Sequence, residues 1–199
     1  MVTKSKRVMR AKPKRAVAAK AKRATTGKTK RAAIARPKRR ATSRTMRAAT
    51  ARAEMLIRRP VADVFIAFVD PLITSNFWFT RGSDRLHMGK TVRWEWEMYG
   101  FSLDVEVKAV DENRRILIEW PGAAGPTMVE WTFTSRPDNT TFVSISNTGF
   151  KGSDKQILAE AIGSTEGFAL VLAGAKAFLE HGITLELVSD RFPDGLPAH

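Results

Sequence analysis

The chain has no cysteine, and its 199 residues include only one tyrosine and three histidines. Without cysteine there can be no disulfide bond and no thiolate chemistry. Because His87, His181 and His199 are the only histidines, we expect neither a histidine-rich metal site nor a cofactor held by one. No uninterrupted apolar run approaches the ~20 residues that span a bilayer, and the N-terminus lacks the apolar segment of a secretory signal. We therefore predict no membrane association.

Acidic residues are missing from the first quarter of the chain. Of the 34 lysine and arginine residues, 20 lie in residues 1–52, and the first carboxylate is Glu54. The other 147 residues hold 14 basic and 20 acidic residues, a formal charge of −6. Like charges repel, and so little apolar surface cannot offset the entropy of ordering. We predict a disordered basic arm (1–52), one domain (53–182) and a C-terminal extension (183–199).

The arm carries short Lys-Pro-Lys units and resembles, in composition, the lysine- and alanine-rich tails of linker histones and histone-like bacterial proteins. Such a segment binds phosphate backbones by neutralising charge. It contains no aromatic residue that could stack on bases, so we expect binding without sequence readout. Alternatives are an inert tail, a presequence, or translation that begins at Met46 or Met55. The location predicted is cytoplasmic, and nucleoid-associated where the arm is present. Its candidate nucleic-acid-binding residues are Lys12, Lys14, Arg15, Lys38, Arg39 and Arg40.

The domain is organised around a long helix predicted over residues 153–182. Ser153 and Gln156 form a capping box, and Gly182 supplies a left-handed end. Apolar and small residues recur between them with the 3.6-residue period of an amphipathic helix. Glycines at positions 163, 167 and 174 are costly in a helix interior. They indicate either a break near Gly163–Ser164 or close approach to a sheet.

Before this helix the period changes from 3.6 to 2. The predicted order is a strand at 54–58, helices at 61–70 and 72–78, and about five further strands between 92 and 145. In the first of these five, Val92, Trp94, Trp96 and Met98 alternate with charged residues. An antiparallel sheet with one polar face needs cover on the other. We therefore predict an α+β helix-grip fold, in which a curved antiparallel sheet wraps around the C-terminal helix.

Several local motifs occur in the order found in a known superfamily. They are residues 57–65 (Ile-Arg-Arg-Pro-Val-Ala-Asp-Val-Phe), Gly89, residues 107–111 running to Trp120, and Gly167-Phe168 ahead of Leu172 and Leu179. Over roughly residues 54–182 the chain resembles the START/Bet v 1-like (SRPBCC) superfamily. Within it, the chain is most similar to the family of the C-terminal domain of the Hsp90 ATPase activator. The resemblance implies the helix-grip fold, but that fold serves binders, cyclases, transfer proteins and co-chaperone domains.

The apolar side chains expected to face the interior are unusually rich in tryptophan. Some of them are ordinary core, and others could wall a pocket for an apolar or aromatic ligand. Small residues at 167, 174 and 175 would keep the helix side of that pocket open. The candidate ligand-binding residues are Trp78, Trp94, Trp96, Met98, Trp120, Trp131, Phe133, Phe168, Leu172 and Ala175.

A catalytic site is not indicated by any motif. The sequence shows no Ser-His-Asp order, glycine-rich phosphate loop or metal-ligand spacing, and the carboxylates at 95, 97, 104 and 106 lie in the polar phase of strands. We predict a non-catalytic domain that binds a small apolar molecule. Two alternatives stay open by analogy with the superfamily. One is a polyketide cyclase- or aromatase-like enzyme, and the other is an Hsp90 co-chaperone-like module that uses the outer face around Arg93, Glu95 and Glu97.

Overall fold

The computed structural model describes residues 49–196, so the six basic residues predicted to bind nucleic acid lie outside the described residues. The elements in chain order are β1 (Ala51–Ile57), α1 (Val61–Val69), α2 (Pro71–Thr74), β2 (Arg81–Gly82), β3 (Thr91–Trp96), a 3₁₀ turn (Glu97–Tyr99), β4 (Phe101–Asp111), β5 (Arg115–Trp120), β6 (Thr127–Ser135), β7 (Thr141–Thr148), α3 (Asp154–His181) and α4 (Leu187–Asp190).

The strands form one antiparallel seven-stranded sheet in the order β1-β7-β6-β5-β4-β3-β2. Each hairpin from β2 to β7 pairs neighbours in sequence, and β1 pairs with β7 along its whole length. Burial alternates residue by residue in β6 and β7, so one face of the sheet is core and the other meets solvent. Together with α3, which covers the apolar face, this confirms the predicted α+β helix-grip fold.

Helix α3 has the predicted ends. The Ser153 side chain accepts from the Gln156 N–H while the Gln156 side chain accepts from the Ser153 N–H, and Gly182 ends the helix at φ 69°. The alternative of a break near Gly163–Ser164 is wrong, because α3 is continuous from Asp154 to His181. Packing against the sheet stabilises the helix by more than the ~1 kcal/mol that an interior glycine costs.

By length and composition, α3 could cross a membrane, contrary to the expectation drawn from uninterrupted apolar runs. The core helix of a water-soluble protein passes the same test. In this fold Phe168, Val171 and Leu172 of α3 are buried with the apolar face of the sheet. Packing against the sheet thus accounts for part of the apolar composition of α3, whereas Leu158 and Ile162 of the same helix are half exposed.

Strand β1 begins at Ala51, three residues before the predicted strand. Ala51 and Ala53 are both buried and pair with Asn147 and Ile145 of β7. Alanine has weak strand propensity, and these alanines follow a lysine- and arginine-rich segment. The pairing with β7, and not the local sequence, therefore places them in the sheet.

Candidate functional site

A cavity of about 590 Å³ lies between the N-terminal half of α3 and one end of the sheet. The ends of β5, β6 and β7 contribute to it, as does the chain that follows α3. Its volume is within the range of small-molecule sites, about 300–1,000 Å³. It is larger and more apolar than the cavity that lies beside α2 and α4.

Aromatic rings form the apolar wall of the cavity. Four predicted ligand-binding residues, Trp78, Trp96, Trp120 and Phe168, line it together. The rings of Trp78 and Trp120 are parallel within 9° with centroids 6.1 Å apart, and Phe168 meets Trp120 edge-on at 6.3 Å. These contacts hold the indole side chains rigidly in the wall of the cavity, where an aromatic ligand could contact them.

Five other predicted residues lie in the core behind this wall. Trp94, Trp131, Phe133, Leu172 and Ala175 are buried but do not line the cavity. Trp94 and Trp131 contact Trp78 at centroid distances of 4.9 and 5.9 Å. They support the aromatic wall from behind, which periodicity alone could not distinguish from lining it.

Met98 is not in the interior, and that part of the sequence prediction is wrong. Strand β3 ends at Trp96, and the 3₁₀ turn that follows breaks the two-residue alternation on which the prediction rested. Met98 is 43% exposed and its sulfur accepts from the Thr80 hydroxyl at 3.6 Å.

The helix side of the cavity is open because its residues are small. A Cβ on Gly163 would have no atom within 4 Å, and one on Gly167 would lie 3.4 Å from Arg191 Nη1. Gly174 has a different reason, since its Cβ would lie 3.1 Å from both the Cβ and the carbonyl oxygen of Phe77. Gly174 thus permits close packing on the segment after α2, whereas Gly163 and Gly167 make space for the cavity.

One end of the cavity is polar. Thr127 and Asn147 are buried at the core-facing positions of β6 and β7, and Ser164 faces them from α3. Asn147 Nδ2 donates to Ser164 Oγ at 3.1 Å, and the Thr127 hydroxyl donates to the Trp120 carbonyl at 3.3 Å. The sequence prediction missed this group. The sequence signal for this group is a polar residue at a position that faces the core. Thr127 lies two positions before Val129 in β6, and Asn147 lies two positions after Ile145 in β7.

Charged residues at the cavity edge are already paired. The Glu160 carboxylate accepts from the Ala123 N–H at 2.7 Å, and Arg191 Nη2 donates to Glu166 at 2.6 Å. Arg191 also holds the chain after α3 against the Gly163 carbonyl at 3.5 Å. The charged groups at the cavity edge are therefore paired within the described part of the chain.

The hydroxyl of Tyr99 fixes the segment around α4, which closes one side of the cavity. It donates to the carbonyls of Val188 and, at 3.2 Å, Ser189, and its ring meets Phe192 with centroids 6.0 Å apart. Burial raises the pKa of Tyr99 above its ordinary value, so the hydroxyl stays protonated as this donation requires.

Metal-ligating groups do not gather at this site. Within residues 49–196 no cluster of three or more His, Asp or Glu side chains could hold a metal ion. His87 and His181 are exposed and do not line the cavity. The arrangement is thus an apolar cavity with one buried polar end, suited to holding a molecule by its shape.

The family model described as "Activator of Hsp90 ATPase homolog 1-like protein" matches residues 58–180. Among solved structures, protein SSP2350 from Staphylococcus saprophyticus is 31% identical, with a TM-score of 0.60, over 69% of this chain and 96% of that chain. The comparison with curated proteins found no match.

Two more distant structures share the fold. Protein MLL2253 from Mesorhizobium loti is 20% identical, with a TM-score of 0.60, over 68% of this chain and 99% of that chain. The Aha1 dimer from Colwellia psychrerythraea is 17% identical, with a TM-score of 0.57, over 67% of this chain and 98% of that chain. The family match over residues 58–180, together with the likeness to SSP2350, establishes that the chain belongs to the Activator of Hsp90 ATPase homolog 1-like family of the SRPBCC superfamily.

Proposed function

We propose that the helix-grip domain binds a small apolar molecule with an aromatic ring system and does not transform it. The observation that carries the proposal is the cavity of about 590 Å³ with its wall of Trp78, Trp96, Trp120 and Phe168. An apolar cavity of this size offers dispersion contacts to a ligand. Flat aromatic rings would make such contacts with the indole side chains of the wall.

The test is ligand-dependent tryptophan quenching and thermal stabilisation of the wild-type protein by a panel of neutral aromatic compounds. A ligand that binds only the folded state raises the melting temperature by mass action. Gly163→Phe places a ring in the cavity, since nothing lies within 4 Å of a Cβ there, and we expect it to abolish the shift without unfolding the protein. Ala175 is not a suitable site for this test, because it is fully buried away from the cavity and a larger residue would overpack the core.

Ile162→Phe is the matched control. It adds a ring to the neighbouring position of the same helix, but Ile162 is half exposed and does not line the cavity. It should bind the panel as the wild type does. If no compound shifts the wild type, or if Gly163→Phe binds as tightly as Ile162→Phe, the cavity is not a ligand site.

We propose a second, separate activity for residues 1–52, which is salt-sensitive binding of nucleic acid in the cytoplasm. The support is compositional, namely 20 basic residues and no acidic one. Each neutralised phosphate releases counterions, so affinity should fall steeply with salt. Full-length protein and the 53–199 fragment are compared on random duplexes at two salt concentrations. Equal affinities of the two proteins would contradict the proposal. An intact mass that corresponds to a chain starting at Met46 or Met55 would show that the native protein lacks most of this segment.

A second candidate for the folded domain is interaction with an Hsp90-type chaperone, which family membership favours. The outer face of the sheet near β3 carries paired charges, including Arg93 with Asp104 at 3.4 Å and Arg81 with Glu95 at 2.6 Å. A chaperone would have to compete with these pairs. Direct binding of purified chaperone that is lost when Arg93 and Glu95 are both reversed would support this candidate, and unchanged binding would exclude this face.

A further inference from the structure

We infer that the polar end of the cavity recognises a hydroxyl group, so that the ligand is a neutral hydroxylated aromatic molecule. This inference rests on the proposed function and specifies its ligand class. It is carried by Asn147 and Ser164, whose hydrogen-bonding groups are not all used within residues 49–196.

Asn147 is the first of these two residues. It occupies a core-facing position of β7 that continues the series of Val143 and Ile145, and it is only 5% exposed. Its Nδ2 donates to Ser164, but its Oδ1 has no hydrogen-bond partner in the described part of the chain. A buried amide oxygen without a partner is unfavourable, because its hydration is lost and nothing replaces it. A ligand that donates to this oxygen would restore the missing bond.

Ser164 is the second residue, and it lines the cavity beside Asn147. Its oxygen accepts from Asn147 and, among residues 49–196, its hydroxyl makes no other hydrogen bond. The hydroxyl hydrogen is therefore available to a ligand acceptor. The pair thus offers one unused acceptor, which a ligand hydroxyl would reach after a small movement of the buried amide, and one unused donor, the Ser164 hydroxyl.

The need for a polar group on the ligand does not depend on the orientation of the Asn147 amide. If its two terminal atoms were exchanged, Ser164 would donate to Oδ1 and the amide N–H would be the group without a partner. A ligand hydroxyl could then accept from that N–H. In both orientations a polar group on the ligand is needed to complete the hydrogen bonds of Asn147, and a hydrocarbon has no such group.

The charged residues of the cavity favour a neutral ligand. Of the described residues that line it, Arg191 is the cation, and it is held by Glu166 at 2.6 Å. Glu160, the lining carboxylate, accepts from the Ala123 N–H and places negative charge at the cavity edge. A carboxylate ligand would lose its hydration without gaining an unpaired cation. A phenol or alcohol has no such cost.

The experiment compares three probes of one shape, namely phenanthrene, phenanthrol and phenanthrene carboxylate. Dissociation constants are measured by tryptophan quenching on the full-length protein. The readout is the ratio of the phenanthrene constant to the phenanthrol constant, because this ratio cancels the apolar contacts that both probes make. We expect Asn147→Leu to lower this ratio about tenfold and Ser164→Ala to lower it several-fold, as loss of single buried hydrogen bonds should.

Thr141→Val is the matched control. Thr141 is also a fully buried polar residue at a core-facing position of β7, but its hydroxyl is satisfied by the Arg59 carbonyl at 2.9 Å and lies outside the cavity lining. This variant should keep the wild-type ratio. If Asn147→Leu does not fold, Ser164→Ala decides the question, since it removes a single oxygen from a half-buried helical position.

The outcomes separate this inference from the proposal on which it rests. If phenanthrene and phenanthrol both bind and the ratio is the same in wild type, Asn147→Leu and Ser164→Ala, the hydroxyl inference is overturned and the apolar site stands. The pair would then only join β7 to α3. Tighter binding of the carboxylate than of phenanthrol would overturn the neutral ligand. If none of the three probes binds, the proposed function itself fails.

Discussion

The two halves of α3 share one helix but have opposite roles. In the C-terminal half, Val171, Leu172 and Ala175 are buried and fill the space against the sheet, and Phe168 at the start of this half also lines the cavity. In the N-terminal half, up to Gly167, Ala161 is the buried residue of the described helix, and small side chains leave the cavity. One helix can therefore pack in the hydrophobic core along part of its length and line a cavity along the rest. What distinguishes the halves is the volume of the side chains that face the sheet.

Replacing a leucine in each half should give the largest contrast. Leu172 is fully buried, so we expect Leu172→Ala to lower the free energy of unfolding by about 2–5 kcal/mol through lost burial and the void it leaves. Leu158 is 52% exposed, and Leu158→Ala should cost less than about 1 kcal/mol. Urea denaturation of both variants measures the two changes. Equal losses would show that the N-terminal half is packed as tightly as the C-terminal half.

Glycine-to-alanine changes should alter the free energy of unfolding in opposite directions in the two halves of α3. Gly174→Ala puts a methyl group 3.1 Å from Phe77 and should destabilise by about 1–3 kcal/mol. Gly163→Ala meets open space and should stabilise by up to ~1 kcal/mol, because alanine has the higher helix propensity. Thermal unfolding compares them. Destabilisation by both would mean that the cavity lining at Gly163 cannot accept a methyl group.

At the C-terminal end of α3, Glu180 should make stability depend on acid pH. Burial by itself raises the pKa of Glu180, but hydrogen bonds from Lys176 and from the Arg58 N–H, the latter at 2.6 Å, outweigh it, and the net pKa lies below the ordinary value. A carboxyl whose pKa is lowered by folding adds stability above its unfolded pKa, and this stability is lost as the pH falls through the folded pKa.

We expect Glu180→Gln to cost about 1–2 kcal/mol at neutral pH, since the amide keeps the shape but loses the charge-assisted bonds. Its deficit should shrink below about pH 4, where the wild-type carboxylate also takes up a proton. Denaturation at neutral pH and at about pH 3 tests this. Glu166→Gln serves as the comparison in the N-terminal half, because Glu166 is exposed and its pairing with Arg191 should contribute little. A deficit for Glu180→Gln that stays constant with pH would contradict the prediction.

The smallest effect is expected at the segment that closes the cavity. Tyr99→Phe removes the bonds from the Tyr99 hydroxyl to the Val188 and Ser189 carbonyls and should cost about 1 kcal/mol or less. The effect of this substitution should be local, with faster amide hydrogen exchange in residues 187–196 and unchanged exchange around Leu172. Uniform acceleration throughout the domain would show that Tyr99 supports the whole fold instead.

Much of the fold could be predicted because its signals are local. The capping box spans only Ser153 to Gln156. The helix end is marked by Gly182 alone, and the alternation in β3 runs over adjacent residues. The failures have equally local causes. Ala51 and Ala53 have weak strand propensity and are placed by pairing with β7, and Met98 follows a strand end that the alternation did not reveal. Of the two alternatives for the helix glycines, the break near Gly163 is wrong, since helix propensity carries no information on packing.

The candidate site was half predictable for the same reason. By itself, the sequence determined the helix, the strands, their apolar phases and the abundance of tryptophan in the interior, because those depend on periodicity and on the chemistry of neighbouring residues. Only the tertiary structure decided which aromatic residues line the cavity and which stand behind it. It also brought Asn147 within 3.1 Å of Ser164, seventeen positions later in the chain. Whether a buried residue contacts a neighbour or a cavity depends on the side-chain volumes of elements that are distant in sequence. No local sequence pattern encodes how those volumes fit together.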